Sequence, residues 1–580
     1  MKPLLYLNKF FWKYRISIIV GAIFIAIANL FALYPAEFVR KAFDSIILSI
    51  NNGTQSSAEI SNTLLKYGGL IVSFAILKGV FMYFMRQTII VMSRKIEFDL
   101  KNEIYQQYQN LSMSFYKKNK TGDLMNRISE DVSRVRMYLG PALMYGINIS
   151  ILFYLVISKM FSINSTLTFY VLMPLPILAV TVYFVSNNIN KRSERVQEQL
   201  SQITTISQET FSGIKIIKSF RNEQNTWKVF LDSLRVYTHK QMQLVKIEAI
   251  FFPLIITMIG ASTILTIYIG GIESFKGNIT TGNIAEFIIY VNMLAWPVAS
   301  IGWITSIIQR ASASQKRIND FLQLEPEIQN TTKEVTPISG DISFENVSFT
   351  YDDTNITALD NISFTIKEGT TLGVFGKTGS GKSTIANLVC RLYNTTKGEI
   401  IFGNINIKDL NLFSLRSCIG YIPQDGYLFS GTVKENIAFA SNIIDDKKII
   451  EAAEKSEILT EIDNFTQGFD TIIGERGVQL SGGQRQRIAI ARTFYKQPNL
   501  FIFDDCLSAI DAGKEQKILK NLKKESTEKT SIIISHRVAT IKDADHIIVL
   551  DSGKIIEQGT HKDLLSKKGF YYEIQKSQSS

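Results

Sequence analysis

The chain has 580 residues, enough for more than one domain, with a hydrophobic fraction of 46% and a formal net charge of +11. Its apolar residues crowd into long runs in the first half, and the basic residues lie beside them, which points to an anionic membrane surface rather than to nucleic acid. Cys390, Cys418 and Cys506 lie in the second half without C-x-x-C spacing, and histidine is scarce and unclustered; reduced thiols facing the cytoplasm are expected, with neither a disulfide framework nor a metal site.

Met1 to Arg15 is basic and aromatic (Lys2, Lys9, Phe10, Phe11, Trp12, Lys13, Tyr14). The apolar run after it is too long for a signal peptide, so an interfacial helix leading into a membrane span is expected. Six apolar segments follow, near Ser17–Tyr34, Leu64–Val91, Leu139–Ser158, Thr166–Ser186, Ile250–Gly271 and Ile284–Ile308. Each approaches the roughly 20 residues needed to cross a bilayer core as a helix.

Lys and Arg set the orientation. Ala42–Thr63 has none, and the turns after the third and fifth spans hold only Lys159 and Lys276. The loops Ser93–Tyr138 and Asn187–Lys246 are rich in both, which places them, the N-terminus and the C-terminal half in the cytoplasm. Both loops continue an amphipathic helical pattern, broken near Phe115–Leu124 and Glu209–Ile214, and read as two hairpins projecting toward a soluble partner. Within the spans, Lys78, Arg86 and Glu286 carry charge at a cost that a polar cavity or an ion pair offsets, and Pro174, Pro176, Pro253 and Pro297 are expected to kink their helices.

A transmembrane domain over 1–318, a linker over 319–340 containing Pro326 and Pro337, and an α/β domain over 341–580 follow from the shift in composition. The second half is organised around Gly376-Lys377-Thr378-Gly379-Ser380-Gly381-Lys382-Ser383, a G-x-x-x-x-G-K-S string between an apolar strand pattern and a helix beginning near Thr384. Glycines let such a loop wrap phosphate oxygens, Lys382 reaches the β- and γ-phosphates, and Ser383 ligates Mg²⁺. Leu500 to Asp504 is an apolar strand ending in an acid placed for the metal side, with Asp505 beside the γ-phosphate and the attacking water. His536, after the strand Ser531–Ile534, is a γ-phosphate contact or a surface histidine; His546 and His561 read as structural. Leu480-Ser481-Gly482-Gly483-Gln484 opens a basic helix, as an anion nest or as a capping turn. Tyr351 is an aromatic placed to stack on a base, and Gln424 follows a short strand.

Taken together, Tyr351, Gly376–Ser383, Gln424, Leu480–Gln484, Leu500–Asp504, Ser508–Asp511 and His536 resemble an ATP-binding cassette domain. Six spans ahead of one cassette resemble an exporter-type half-transporter, and the resemblance covers essentially the whole chain. It implies an α-helical membrane domain with long cytoplasmic extensions followed by an α/β P-loop NTPase domain. It also implies ATP and Mg²⁺ as ligands, with Tyr351, Gly376–Ser383, Thr384 and Gln424 on the nucleotide and Ser383, Gln424 and Asp504 on the metal. Asp505, His536 and Gln424 take the catalytic positions. Leu480, Ser481, Gly482, Gly483 and Gln484 serve the nucleotide of a second half-transporter, identical or not, and Ser508, Ala509 and Asp511 form a dimer-contacting loop. Coupling helices are expected near Phe115–Asp123 and Gln208–Ile217. The function implied is alternating-access export of an amphipathic lipid, lipopeptide or drug-like molecule across the cytoplasmic membrane, with membrane lipid but no nucleic acid as a partner.

Asp505 departs from the family pattern, in which glutamate is common. Its carboxylate is one methylene shorter, so weak hydrolysis at this chain's own loop is expected, as in one subunit of some heterodimeric exporters. An ATP-gated channel on the same scaffold is the alternative. A leader-cleaving exporter needs an N-terminal protease domain for which there are no residues ahead of the first span, and the spans argue against a soluble cassette protein acting on nucleic acid.

Overall fold

The computed structural model describes residues 2–52, 57–330, 332, 334–335, 337–441, 443–474, 480–507, 510–525 and 529–579. They form two compact units: Met1–Gln109 with Gly122–Leu324, and Asn110–Thr121 with Glu325–Ser580.

The first unit is helical. Lys2–Leu7 and Asn8–Lys13 are short helices that lead into six long apolar ones: Arg15–Ser49, Ala58–Asn110, Thr121–Ile163, Ser165–Ser212, Glu223–Phe275 and Thr281–Leu322. All six expected spans fall inside them. The 53 residues of Glu223–Phe275 make a rod of about 80 Å, against about 30 Å of hydrocarbon, so the helices carry on far beyond any bilayer. The last helix runs through Asn319 to Leu322, into the stretch expected as linker. Its start is fixed by a capping box in which Thr280 and Asn283 satisfy each other's backbone N–H.

Pro253 and Pro297 sit inside unbroken helices, as does Pro35, whereas Pro174 opens a new helical segment after Met173. The helix Thr121–Ile163 contains two wide π-helical turns, Arg127–Asp131 and Tyr138–Ala142, the second holding Pro141.

Charge buried in this unit is paired. Glu286 is fully buried and accepts from Tyr290 Oη at 2.8 Å and Asn283 Nδ2 at 3.3 Å, with Arg40 Nε at 3.5 Å. Asp131 accepts from Ser314 Oγ at 2.8 Å and Arg317 Nε at 2.9 Å, tying the first π-helical turn to the last helix. Each carboxylate therefore has the donors that burial demands.

The second unit is built on a six-stranded sheet in the order Lys554–Gly559, His546–Asp551, Thr371–Gly376, Thr530–Ser535, Leu500–Asp504, Ile419–Ile422. Only the Lys554–Gly559 edge is antiparallel; the other pairs run parallel. Leu500–Asp504 and Thr530–Ser535 are buried along their whole length, as a parallel sheet covered on both faces requires. One face packs on a cluster including Ile488, Phe494 and Tyr571, and the other on a cluster including Ile385, Leu388 and Ile400. A four-stranded antiparallel sheet, Ile356–Ile366, Ile342–Tyr351, Lys397–Phe402 and Ile405–Asn406, supplies Tyr351 at a strand end.

The breaks of the first hairpin are displaced from their expected positions, whereas that of the second falls at Gly213, within the expected Glu209–Ile214. Phe115 and Tyr116 lie within a short helix, Met113–Lys118, bounded by extended Ser112 and Asn119, and a new helix has begun by Thr121. In the other loop Gln208–Ser212 still belongs to the long helix; Gly213 ends it and Ile214–Ser219 forms the short one. The first short helix is grouped with the sheet domain, where Ser114 Oγ donates to Glu327 and Lys118 pairs with Asp352 at 3.8 Å.

Candidate nucleotide site

Parallel pairing gathers the chemistry at one edge. Ile534 sits opposite both Val374 and Asp504, and Ser535 opposite Phe375, so Gly376, Asp504, Asp505 and His536 all emerge at the carboxyl ends of adjacent strands. That edge is where open α/β sheets place their ligands.

The loop after Thr371–Gly376 turns into the helix Lys382–Val389 through Gly381, at φ +98°. A Cβ at Gly381 would lie 2.2 Å from the Ala358 carbonyl oxygen, and one at Gly376 2.3 Å from that of Leu550. Only glycine fits at either position, because the loop backbone there packs directly against neighbouring carbonyls. Lys382 is 9% exposed; its Nζ donates to the carbonyls of Gly376 (2.9 Å) and Lys377 (2.7 Å), which stretches the side chain back along the loop. Burial lowers the pKa of its ammonium, against the opposing pull of Asp505 and Asp504. Ser380 Oγ is buried with no hydrogen-bond partner among the described residues, which leaves a donor for a phosphate oxygen.

Ser383 Oγ donates to Asp504 Oδ1 at 2.8 Å, and Tyr421 Oη donates to Oδ2 at 3.3 Å. Burial raises the Asp504 pKa, and both hydrogen bonds work against that rise. Asp505 has φ +47°, a left-handed backbone uncommon outside glycine and tolerated by aspartate. His536 Nδ1 lies 3.0 and 2.9 Å from its two carboxylate oxygens. Gln424 is exposed just beyond Ile419–Ile422, its carbonyl accepting from Gln486 Nε2 at 3.2 Å.

Tyr351 Oη meets Thr384 Oγ1 at 3.1 Å, and Lys117 Nζ stands 3.8 Å from the centre of its ring. Leu480–Gln484 stands apart from this cluster as the start of the helix Gly482–Lys496. Ser481 and Gln484 form a capping box there, with Ser481 and Gly482 exposed. The capping turn weighed from sequence is thus present, and it leaves the helix end open to solvent. Asp511 is exposed; Ser508 and Ala509 lie outside the described residues.

Sequence reasoning missed Tyr421, Lys117 and Gln578, whose Nε2 donates to the His536 carbonyl at 2.8 Å. Each is remote in sequence from the residue it holds, and no short motif marks it.

A tight glycine loop with a buried lysine beside a buried carboxylate, in a chain with six membrane-length helices, fits the class of membrane proteins that carry a phosphate-binding domain. Comparison with known proteins agrees. The family described as "ABC transporter transmembrane region" matches residues 16–298, and that described as "ABC transporter" matches residues 359–508. A probable multidrug resistance ABC transporter ATP-binding/permease protein of Bacillus subtilis is 32% identical over 98% of this chain and 96% of its own length. An ATP-dependent lipid A-core flippase of Syntrophus aciditrophicus is 33% identical over 96% of this chain and 92% of its own. The fold is shared with a bacterial Atm1-family ABC exporter solved with ATP bound, at a TM-score of 0.79 and 24% identity, covering 97% of this chain and 98% of that one. This chain belongs to the ABC transporter family: it is a multi-pass membrane protein whose cassette couples ATP hydrolysis to transport.

Proposed function

We propose that this chain is a half-transporter that pairs with a second one and exports an amphipathic molecule, a lipid, lipopeptide or drug-like compound, from the cytoplasmic side of the cell membrane. The observation that carries this reading is the strand register that sets Lys382, the Ser383–Asp504 bond and the Asp505–His536 pair at one sheet edge. The names of the multidrug and lipid A-core relatives support the substrate class. The basic loops Ser93–Tyr138 and Asn187–Lys246 support a cytoplasmic cassette.

Pairing is supported by apolar surface where no lipid reaches. Phe211 (75% exposed), Phe220 (80%) and Trp227 (60%) lie well outside the apolar stretches Thr166–Ser186 and Ile250–Gly271. The open helix end at Ser481–Gly483 is the second support, since it can serve the nucleotide of the other half.

In this reading the loop N–H groups and Lys382 hold the triphosphate, and Tyr351 and Thr384 bound the base side. Mg²⁺, when bound, supplies positive charge to the β- and γ-phosphate oxygens; Ser383, Asp504 and Gln424 would hold it, and their oxygen donors suit a hard cation. Asp505 orients the attacking water, and His536 holds Asp505 while facing the γ-phosphate. The test is ATPase activity of the chain in lipid vesicles against a panel of lipids and drugs, with and without a second subunit. Stimulation by one amphipathic class, abolished by Lys382→Ala, is expected. A rate indifferent to the whole panel counts against an amphipathic cargo.

A second reading, a mostly non-hydrolysing subunit of a heterodimer, is favoured by Asp505. A carboxylate one methylene short is misplaced by about 1 Å, which costs on the order of 100-fold in rate. Asp505→Glu is then expected to raise turnover of the chain alone by up to about that factor. No gain would remove the argument from reach.

A further inference from the structure

The C-terminal helix Phe570–Ser579 has no part in the reading above, yet it touches both ends of the site. At its start the N–H groups of Phe570 and Tyr571 donate to the Glu557 carboxylate at 2.6 and 3.3 Å. Tyr571 is fully buried, its ring 5.3 Å from that of Phe375, the residue that leads into Gly376, and its hydroxyl lies 2.8 Å from His561 Nδ1. The helix is therefore anchored at the root of the phosphate loop.

Its far end reaches the His536 segment. Gln578 Nε2 donates to the His536 carbonyl at 2.8 Å, and Gln578 Oε1 accepts from the Val538 N–H at 2.9 Å. One amide side chain thus brackets Arg537 from both sides, which requires a group that donates and accepts at once. The short helix Val538–Ile541 gets no side-chain cap from Arg537, so Gln578 supplies the missing acceptor. On the opposite flank, buried Glu515 accepts from Thr540 Oγ1 at 2.7 Å and faces Arg537 Nη1 at 3.4 Å. Between these two holds, the backbone carrying His536 has little freedom, and its imidazole is aimed at Asp505.

We infer that Gln578 is a positioning residue for ATP hydrolysis: it fixes the backbone of the His536 segment, and so makes the C-terminal helix part of the hydrolytic apparatus. The inference rests on the reading of His536 as the group that holds Asp505 and faces the γ-phosphate. Gln578 is exposed, so replacing it leaves the core intact.

The experiment uses the full chain in lipid vesicles and measures kcat and KM for ATP together with binding of a fluorescent ATP analogue. Gln578→Leu is expected to lower kcat about tenfold, part of what a misplacement near 1 Å costs, with KM and analogue binding unchanged. The neighbouring Lys576→Ala is expected to match the wild type. His536→Ala combined with Gln578→Leu is expected to be no slower than His536→Ala alone, because both act through one group. An unchanged kcat in Gln578→Leu overturns the inference. So does a loss of analogue binding, which marks general damage to the cassette, or a loss that multiplies with that of His536→Ala. If His536→Ala itself leaves turnover intact, the reading of His536 fails and takes this inference with it; if only Gln578→Leu does, this inference fails alone.

Discussion

The two short helices at the hairpin tips are alike in length and unlike in surroundings. Met113–Lys118 is fastened within the cassette unit: Ser114 bonds Glu327, Lys118 pairs with Asp352, and Lys117 stands over the Tyr351 ring. Around Ile214–Ser219, by contrast, Phe211, Ile216 and Phe220 are 75%, 65% and 80% exposed. Water-exposed aromatic surface of this kind marks an interaction site. The difference leaves one tip held by its own chain and the other uncovered, as the proposed pairing with a second half requires.

The strongest way to break that contrast is at the second tip. Ile216→Asp with Phe220→Asp removes two large apolar side chains worth together about 3 kcal/mol or more when buried, or on the order of 100-fold in association. Analytical ultracentrifugation in detergent should show that weakening, with ATP still bound by the separated chains; unaltered association would mean the tip faces only solvent. A smaller effect sharpens the contrast at the first tip. Lys117→Ala forfeits a cation–π contact of about 0.5–1 kcal/mol, so the KM for ATP should rise about two- to fivefold, without the loss of association produced at the second tip. A KM that stays put would separate Lys117 from the base site.

The smallest effect concerns the helix that presents Ser481. Arg487 on that helix and Lys514 both bind Glu461, at 2.7 and 2.6 Å. Burial alone would raise the Glu461 pKa, but the hydrogen bonds from Arg487 and Lys514 outweigh it and hold the carboxyl at about 2. A depressed folded-state pKa stabilises above the ordinary value near 4.3, and that contribution is lost as pH falls toward 2. Glu461→Gln should therefore melt about 2–4 °C below the wild type at neutral pH, with the gap closing across that acidic window. A gap independent of pH would assign the effect to packing instead.

Much of the site was legible in the sequence because its parts lie in short motifs at strand ends, and parallel pairing brings strand ends together. Gly376–Ser383, Asp504, Asp505 and His536 converge for that reason. The spans were legible from apolar length alone. What remained hidden depends on tertiary distance: Tyr421 on Asp504, Lys117 on Tyr351, and Gln578 on His536. The boundaries of the first tip were misplaced because Phe115 and Tyr116 were read as a break when they lie inside the short helix Met113–Lys118. The left-handed backbone at Asp505 leaves no mark in composition, since aspartate is also common in ordinary loops.

The length of the rods has a mechanical consequence. In Glu223–Phe275 the middle of the apolar stretch Ile250–Gly271 lies near residue 261, about 57 Å from one end and about 21 Å from the other. A helix pivoting there gears its two ends roughly threefold. Were the helix to turn there as a rigid lever, a sweep of several ångströms at the long arm would become a displacement about a third as large at the far membrane face.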